Sequence, residues 1–434
     1  MKLSQFNSVL PYMDNYLLHN TYSDHYLMVK PILKELLEAA NNENDLEGLA
    51  DYHPAFFKEL VNNNFIIEDD VNEVDQVKQI SQQVDGNKAN YLLTINPTMG
   101  CNFKCWYCYE THVKGSKMDL PLVERILKFI ENEKENNRHL KFFSMSFFGG
   151  EPLMYYDKTV VPLLEGANKI FADSDIDFHS SFTTNGYLIN QRRIDFFKKN
   201  SVSAVQITLD GHREFHDKVR YLSSKKGSYD RIIKNIKLLA RHDIHITMRI
   251  NFTRDNFTSC LDIPEDFRDL EADAMKNILV DFHQVWQDDQ VDDLSTAPAV
   301  DAFKNVGFEV RSSATNLNNV VNSCYADKMN SSVVNYNGEV FKCTARDFTT
   351  ENSLGYIGDD GRIHWKEEYE RRQTAKFKNP PCLECRLLPI CNGGCSQHAY
   401  ENLGNKDGGY CVYGFDEFKK DATILERFRM RTNN

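Results

Sequence analysis

The chain has 434 residues, 41% hydrophobic and 26% charged, a balance that suits a globular protein with a sizeable core and room for two or three domains. Its net charge of −12 argues against a nucleic-acid or anionic-membrane partner held by bulk electrostatics. Its eleven cysteines fall in metal-type spacings in a chain too long for a small secreted disulfide scaffold, and no apolar run reaches signal-peptide or membrane-span length, so the expected location is the reducing cytoplasm.

Residues 1–85 read as a separate N-terminal module. Five lysines there face fifteen aspartates and glutamates. Amphipathic helices are predicted over Pro31–Ala40 and Pro54–Asn62, each with proline in its first turn. A third is predicted over Val71–Gln83 and a short strand over Phe65–Ile67. Small helices with short strands suit a winged-helix-like α+β module. From Tyr91 to about Val285, strands and helices alternate. The predicted strands are Tyr91–Ile95, Phe142–Phe147, Phe178–Thr183, Ala204–Leu209, Ile244–Ile250 and Ile278–Phe282. Val123, Ile126, Leu127 and Ile130 share a helical face after the N-cap candidate Asp119, as do Ile232, Ile236 and Leu239 later. Such alternation implies an α/β fold with a parallel sheet.

Cys101, Cys105 and Cys108, spaced C-x3-C-x2-C, follow the first strand on a loop where Pro97 and Gly100 exclude helix. Three thiolates can hold a [4Fe–4S] cube and leave one iron open to a substrate or cosubstrate. A zinc knuckle completed by His112 is the alternative. Gly149-Gly150-Glu151-Pro152 follows the second strand. Its glycines let a ligand approach the backbone, and Glu151 is suited to accept from an ammonium group; alone, the tetrapeptide reads equally as a turn. Thr183-Thr184-Asn185-Gly186 ends the third strand. Thr208-Leu209-Asp210-Gly211 ends the fourth, with His216, Asp217 and Arg220 beyond. The planar fork of Arg220 suits a carboxylate. His216 and Asp217 read first as a structural pair and second as acid–base groups. Arg249 and Asn251 are candidates without an assigned role, and Cys260 reads as a small buried hydrophobe. No catalytic residue is assigned.

Residues 291–322 read as a polar bridging region, with a candidate helix at Ala299–Val310. In the cysteine-rich region 323–434, Cys324 and Cys343 form one block. A hairpin of Val333–Tyr336 and Glu339–Lys342 around Asn337-Gly338 precedes Cys343. Cys382, Cys385, Cys391, Cys395 and Cys411 form the other block. Seven thiols exceed one tetrahedral site; paired zinc sites are the alternative.

The cysteine loop with Tyr107 as its aromatic, the Gly-Gly-Glu-Pro turn and the C-terminal cysteine pattern resemble the radical S-adenosylmethionine (SAM) superfamily. Within it, the chain resembles peptide maturases with a C-terminal SPASM auxiliary-cluster domain; the resemblance covers residues from about 91 to 430. It implies a partial (β/α)6 barrel over 91–290 and a SPASM domain over 323–434. It also implies that S-adenosylmethionine chelates the open iron and, after electron transfer, yields a 5′-deoxyadenosyl radical. Tyr107 would pack beside the adenine, and Gly149, Gly150 and Glu151 would hold the methionine amine. Asn185 would lie near the ribose, while Thr208 and Arg220 would contact the cosubstrate. By the same resemblance Cys382, Cys385, Cys391 and Cys411 hold a distal auxiliary [4Fe–4S] cluster. Cys324, Cys343 and Cys395 hold a proximal one, for three clusters in all. Ser312–Ser323 offers no further cysteine.

The implied activity is that of an oxidoreductase. It would abstract a hydrogen from a ribosomally made precursor peptide and install a thioether, carbon–carbon or ether cross-link, with electrons from a small donor such as flavodoxin or ferredoxin. The N-terminal module would bind the leader peptide or serve only as a structural cap. Anaerobic sulfatase maturation to formylglycine is the alternative, although the Asp that such maturases place after the second SPASM cysteine is Thr344 here. A non-catalytic iron–sulfur electron carrier is the alternative of another class, and Gly149–Glu151 speaks against it.

Overall fold

The computed structural model describes residues 1–222, 224–288, 295–311, 321, 323–403 and 409–432. Much of the expected bridging region (291–294, 312–320 and 322) lies outside the described residues. The chain divides into two compact units. One joins 1–87 with 316–329 and 368–434; the other joins 88–315 with 330–367.

In the first unit, β1 (Lys2–Leu3) precedes an antiparallel meander of β2 (Asn7–Tyr12), β3 (Asn15–Asn20) and β4 (His25–Val29). Helices α1 (Pro31–Asn42), α2 (Leu49–Tyr52) and α3 (Pro54–Asn62) follow. Then come β5 (Ile66–Ile67), antiparallel to β1, and α4 (Glu73–Asp85). Proline opens α1 and α3 as predicted, and the His53 ring caps α3 by accepting from the Phe56 N–H. The module is α+β, but its meander was not predicted. Pro11 lies inside β2 and asparagines stand at both ends of β3, residues depleted in strands.

The rest of this unit shares the module's core. Phe6 and Val77 pack with Leu388, and Leu10 packs with Leu387, Ile390 and Ile424. Arg386 donates to Ser8 Oγ at 2.8 Å, and Thr21 Oγ1 donates to the Arg386 carbonyl. Lys376 Nζ lies 3.0 Å from Asp85 and 3.4 Å from Asp327.

In the second unit six strands run parallel in chain order. They are β6 (Asn90–Ile95), β7 (Phe142–Phe147), β8 (Asp177–Thr184), β9 (Val202–Leu209), β10 (His245–Phe252) and β11 (Ile278–Gln284). Helices α5 (Leu120–Asn136), α6 (Val161–Phe171), α7 (Gln191–Lys199), α8 (Arg213–Val219) and α9 (Tyr229–Ala240) connect β6 through β10, and short helical turns at Phe257–Cys260, Ile263–Phe267 and Ala272–Met275 lead from β10 to β11. Asp119 caps α5 by accepting from the Leu122 N–H at 3.0 Å, an interaction of about 1 kcal/mol. Val123, Ile126 and Ile130 bury the predicted face.

The sheet does not close on itself. β12 (Glu309–Arg311) adds in parallel to β11, and β13 (Ser331–Val334) adds in parallel to β6. β14 (Glu339–Phe341), β15 (Gly355–Ile357) and β16 (Ile363–Trp365) extend that edge. The expected helix at Ala299–Val310 is Ala297–Val306, because Gly307 (φ 107°) terminates it in the left-handed region. In the hairpin before Cys343, Asn335 N–H and Gly338 (φ 86°) close a three-residue loop rather than a two-residue turn. Among the described residues no helix is long and apolar enough to cross a membrane.

Candidate functional site

Strand alternation gives the parallel sheet two different faces. Phe143, Met145, Phe182, Val205, Ile207, Met248, Ile250 and Val280 point into the apolar core under the helices. Their neighbours on the other face are Ser144, Ser146, Ser181, Thr208, Arg249, Asn251, Asp281 and His283. A barrel sealed by packing alone would fill that face with branched apolar residues; a polar face suits a ligand.

At the C-terminal ends of these strands the cysteine loop meets three turns. Gly150 N–H donates to Glu110 Oε2 at 2.7 Å, and Glu151 N–H donates to the Gly100 carbonyl at 2.9 Å. Gly149 (φ 75°) and Gly150 (φ 39°) are in the left-handed region. A Cβ on Gly150 would lie within 3 Å of the Gly100 backbone, so loop and turn dock only with glycine there. Glu151 is fully buried. It accepts from Leu153 N–H, the Thr184 hydroxyl and Asn185 N–H, at 2.7 to 3.0 Å. A carboxylate has about four lone-pair sites, so three donors leave one for a ligand ammonium. Burial raises the Glu151 carboxyl, and these donors oppose the rise. Burial pushes the carboxyl of Glu110, a residue the sequence reading missed, up to about 7.

Cys101 is held by the Phe103 N–H at 3.4 Å and by Asn185 Nδ2 at 3.9 Å. Burial pushes its thiol up to about 12 and that of the more open Cys108 up to about 11. The Tyr107 hydroxyl donates to Asp210 at 2.7 Å and accepts from Arg220 Nη1 at 2.8 Å and Asn251 Nδ2 at 3.2 Å. Burial raises the phenol well above its ordinary value, which keeps it a donor. Thr208 is buried on the polar face of β9 beside Arg249. His216 and Asp217 are structural. His216 is buried between Asp210 N–H and Ser228 Oγ, and Asp217 accepts from the Ser228 and Tyr229 N–H groups that open α9. Cys260 is buried in the core.

The residues fit an iron–sulfur cluster with a polar cosubstrate. Both amide atoms of Asn96 and Asn102 Nδ2 are buried without a hydrogen-bond partner, and Arg220 Nε has only an ion-pair contact, 3.4 Å from Asp210 Oδ2. Such orphans around three thiols suit a polar ligand, because an unpartnered buried polar atom costs about 1–3 kcal/mol. Cys108 Sγ is 3.5 Å from His112 Nε2. Even so, among the described residues no three His, Cys, Asp or Glu side chains converge on a single-ion site. A cubane takes its thiolates on separate irons and needs no such convergence.

In the first unit Cys382, Cys385, Cys391 and Cys411 line one cavity with Leu388, Tyr410 and Val412. Asn379 Nδ2 donates to Cys382 Sγ at 2.9 Å, and burial pushes the Cys391 thiol up to about 12. Four thiols around one largely apolar cavity match the donor set of a complete cubane. Cys324 and Cys395 belong to this unit and Cys343 to the other.

A family model described as the Radical SAM superfamily matches residues 95–257. A cysteine-type anaerobic sulfatase-maturating enzyme of Clostridium novyi is 27% identical over 382 residues, spanning 78% of this chain and 96% of its own. The solved structure of native anSMEcpe with bound AdoMet matches 79% of this chain and 98% of its own, with a TM-score of 0.56 at 18% identity. Streptococcus suis SuiB bound to precursor peptide SuiA matches 94% of this chain and 98% of its own, with a TM-score of 0.53 at 16% identity. At these identities the two structures speak for the fold alone.

Proposed function

The chain belongs to the radical SAM superfamily, and from that premise we propose that it is a maturase that oxidatively cross-links a ribosomally made precursor peptide. Membership implies S-adenosylmethionine and a [4Fe–4S] cluster, which when bound supply hydrogen-atom abstraction from an unactivated carbon, chemistry beyond side chains alone. Cys101, Cys105 and Cys108 would ligate the cluster. Glu151 offers its remaining lone pair to the cosubstrate amine, Gly149 and Gly150 let the turn that carries it dock on Asn96 and the Gly100 backbone, and Asn185, Thr208 and Arg220 line the strand ends around it. Tyr107, held by Asp210, Arg220 and Asn251, would fix the loop's aromatic beside the adenine.

The observation that carries the peptide reading is the four-cysteine cavity of the other unit. A hydrogen-atom abstraction leaves an odd electron on the substrate, and oxidative cross-linking needs an acceptor for it. Cys382, Cys385, Cys391 and Cys411 would hold that acceptor, and Cys324, Cys343 and Cys395 a second auxiliary cluster. The sulfatase-maturating relative of Clostridium novyi, whose name makes a polypeptide its substrate, supports a peptide substrate. A reducing cytoplasm and a flavodoxin- or ferredoxin-type donor complete the reading, with the N-terminal module recognising the leader.

The test is anaerobic reconstitution. Three cubanes bring roughly twelve irons per chain, and reductant with S-adenosylmethionine should give 5′-deoxyadenosine. A precursor encoded beside the gene should lose two hydrogens per cross-link by mass spectrometry. Stoichiometric zinc with little iron would sink the reading, and iron without cosubstrate cleavage would leave an electron carrier. Sulfatase maturation is favoured by the Clostridium novyi relative and opposed by Thr344. Formylglycine formed on a sulfatase peptide would decide for it.

A further inference from the structure

On β11, Val280 and Phe282 pack into the core, so Asp281 and His283 share the polar face. His283 Nε2 lies 2.9 Å from Asp281 Oδ2. Arg249 on β10 and Arg311 on β12 are the register partners of Asp281, and Arg311 Nη1 is 3.8 Å from the same oxygen. Burial raises the Asp281 carboxyl, but His283, Arg311 and Arg249 together hold it below its ordinary value. Arg249 in turn faces Tyr109, Tyr107 and Arg220. An ionised carboxylate only accepts, so it selects the imidazole tautomer protonated at Nε2 and leaves Nδ1 as a lone-pair base. A carboxylate orients the histidine of a hydrolase triad in the same way.

The ring is well placed for such work. His283 is one-third exposed. Its register partner Asn251 donates to the Tyr107 hydroxyl, and adjacent strands lie about 4.8 Å apart. The carboxylates of the neighbouring loops already accept hydrogen bonds, Glu110 from the Gly150 N–H at 2.7 Å. Asp347, three residues after Thr344, accepts from the Thr111 and Phe348 N–H groups. Glu151 has three donors, and Asp210 serves Tyr107.

We propose that His283, oriented by Asp281, is the base that takes the proton released as the peptide cross-link closes. This rests on the peptide-maturase reading. Per link, one hydrogen leaves a peptide C–H as an atom, by the abstraction already described. The second leaves the partner group X–H as a proton to His283 Nδ1, where X is sulfur, oxygen or an aromatic carbon. For sulfur or oxygen the X–C bond forms once the proton has left; for an aromatic carbon the radical adds to the ring first and the proton leaves as the ring regains aromaticity. In each case the surplus electron passes to an iron–sulfur cluster, the acceptor class this step requires. Asp281 is a positioning residue and the base is His283.

Two measurements test the pair. In the full chain before cluster loading, the His283 imidazole resonance is identified by its absence from His283→Gln. In the wild type its ring-nitrogen shifts should mark Nε2 as the protonated nitrogen, and in Asp281→Asn that preference should be lost, because a side-chain amide can donate as well as accept; the same tautomer balance in both would overturn the pair. In the loaded enzyme, cross-linked product per 5′-deoxyadenosine should fall about 100-fold in His283→Gln, within the usual range for a general base. Added imidazole should restore part of it in His283→Ala. An unchanged ratio in a working assay would overturn the base and leave the maturase reading intact. A wild-type enzyme that cleaves its cosubstrate yet alters no peptide would sink both.

Discussion

The parallel-sheet unit meets its chemistry in chain order: the cysteine loop after β6, Gly149–Glu151 after β7, Asn185 after β8, Thr208 at the end of β9. The other unit gathers four cysteines from residues 382–411, yet the apolar side chains behind them include Phe6 and Leu10. Its hydrogen bond from Arg386 to Ser8 spans 378 positions. The first arrangement puts each function on a strand end. The second makes a cysteine cavity depend on a distant module, so excising residues 1–85 would strip apolar cover from Leu387, Leu388 and Ile390 as well as remove any leader-binding surface.

The largest effect should separate the two cysteine sets. Replacing Cys101, Cys105 and Cys108 with alanine should abolish 5′-deoxyadenosine formation. Replacing Cys382, Cys385 and Cys391 should retain part of that cleavage and stop peptide conversion; equal loss of cleavage would break the division between units. Next, Phe6→Ala removes a fully buried ring packed with Val77 and Leu388, which should cost about 3–5 kcal/mol. Iron retained by the Cys382–Cys411 set should fall with it, while a Cys101–Cys108 set that lost iron equally would contradict the comparison.

Acid gives a third probe. Burial, and then Arg220, hold His216 in the parallel-sheet unit neutral well below its ordinary 6.5. As pH falls through about 6.5 the unfolded chain gains a proton that the native chain refuses, so stability is full above that value and declines below it. His19 in the other unit is lowered by burial too, but Asp24 pulls it back. Glu110, whose carboxyl is pushed up to about 7, takes up a proton in the native chain over the same window and offsets part of that loss. Denaturant titrations at pH 7.5 and 5.5 should therefore isolate His216 by comparison: in His216→Asn the parallel-sheet unit should lose less stability on acidification than in the wild type. The smallest effect is Gly338→Ala. Its Cβ would meet nothing closer than 3.5 Å, so only the left-handed φ is penalised, by about 1 kcal/mol. The stability of the parallel-sheet unit alone should shift.

All six parallel strands were legible, because each sets apolar residues at alternate positions between turn signals and so puts them on one face. Cys101, Gly149 and Arg220 were legible as motifs. The β2–β4 meander was not, because its apolar residues are diluted by asparagines and Pro11. Nor were the contacts that shape the site. The Tyr107–Asp210 bond joins positions 103 apart, and Glu110 and Gly150 meet only once β6 and β7 lie side by side. Asp281 and His283 are two positions apart on one strand, yet nothing local marks that strand's polar face as a ligand face.

The reach from Ser8 to Arg386 also sets a timetable. Closing a long loop is thermodynamically mild, about 0.6 kcal/mol per doubling of length. Time is the harsher constraint. At about 5–20 residues per second, translation separates the two residues by roughly 20–75 s. Throughout that interval Phe6 and Leu10 are on the nascent chain without Leu387, Leu388, Ile390 or Ile424 to cover them. A message cut short before codon 387 would release a parallel sheet able to pair its strands beside a module with part of its apolar surface bare, the kind of species that chaperones hold and proteases clear.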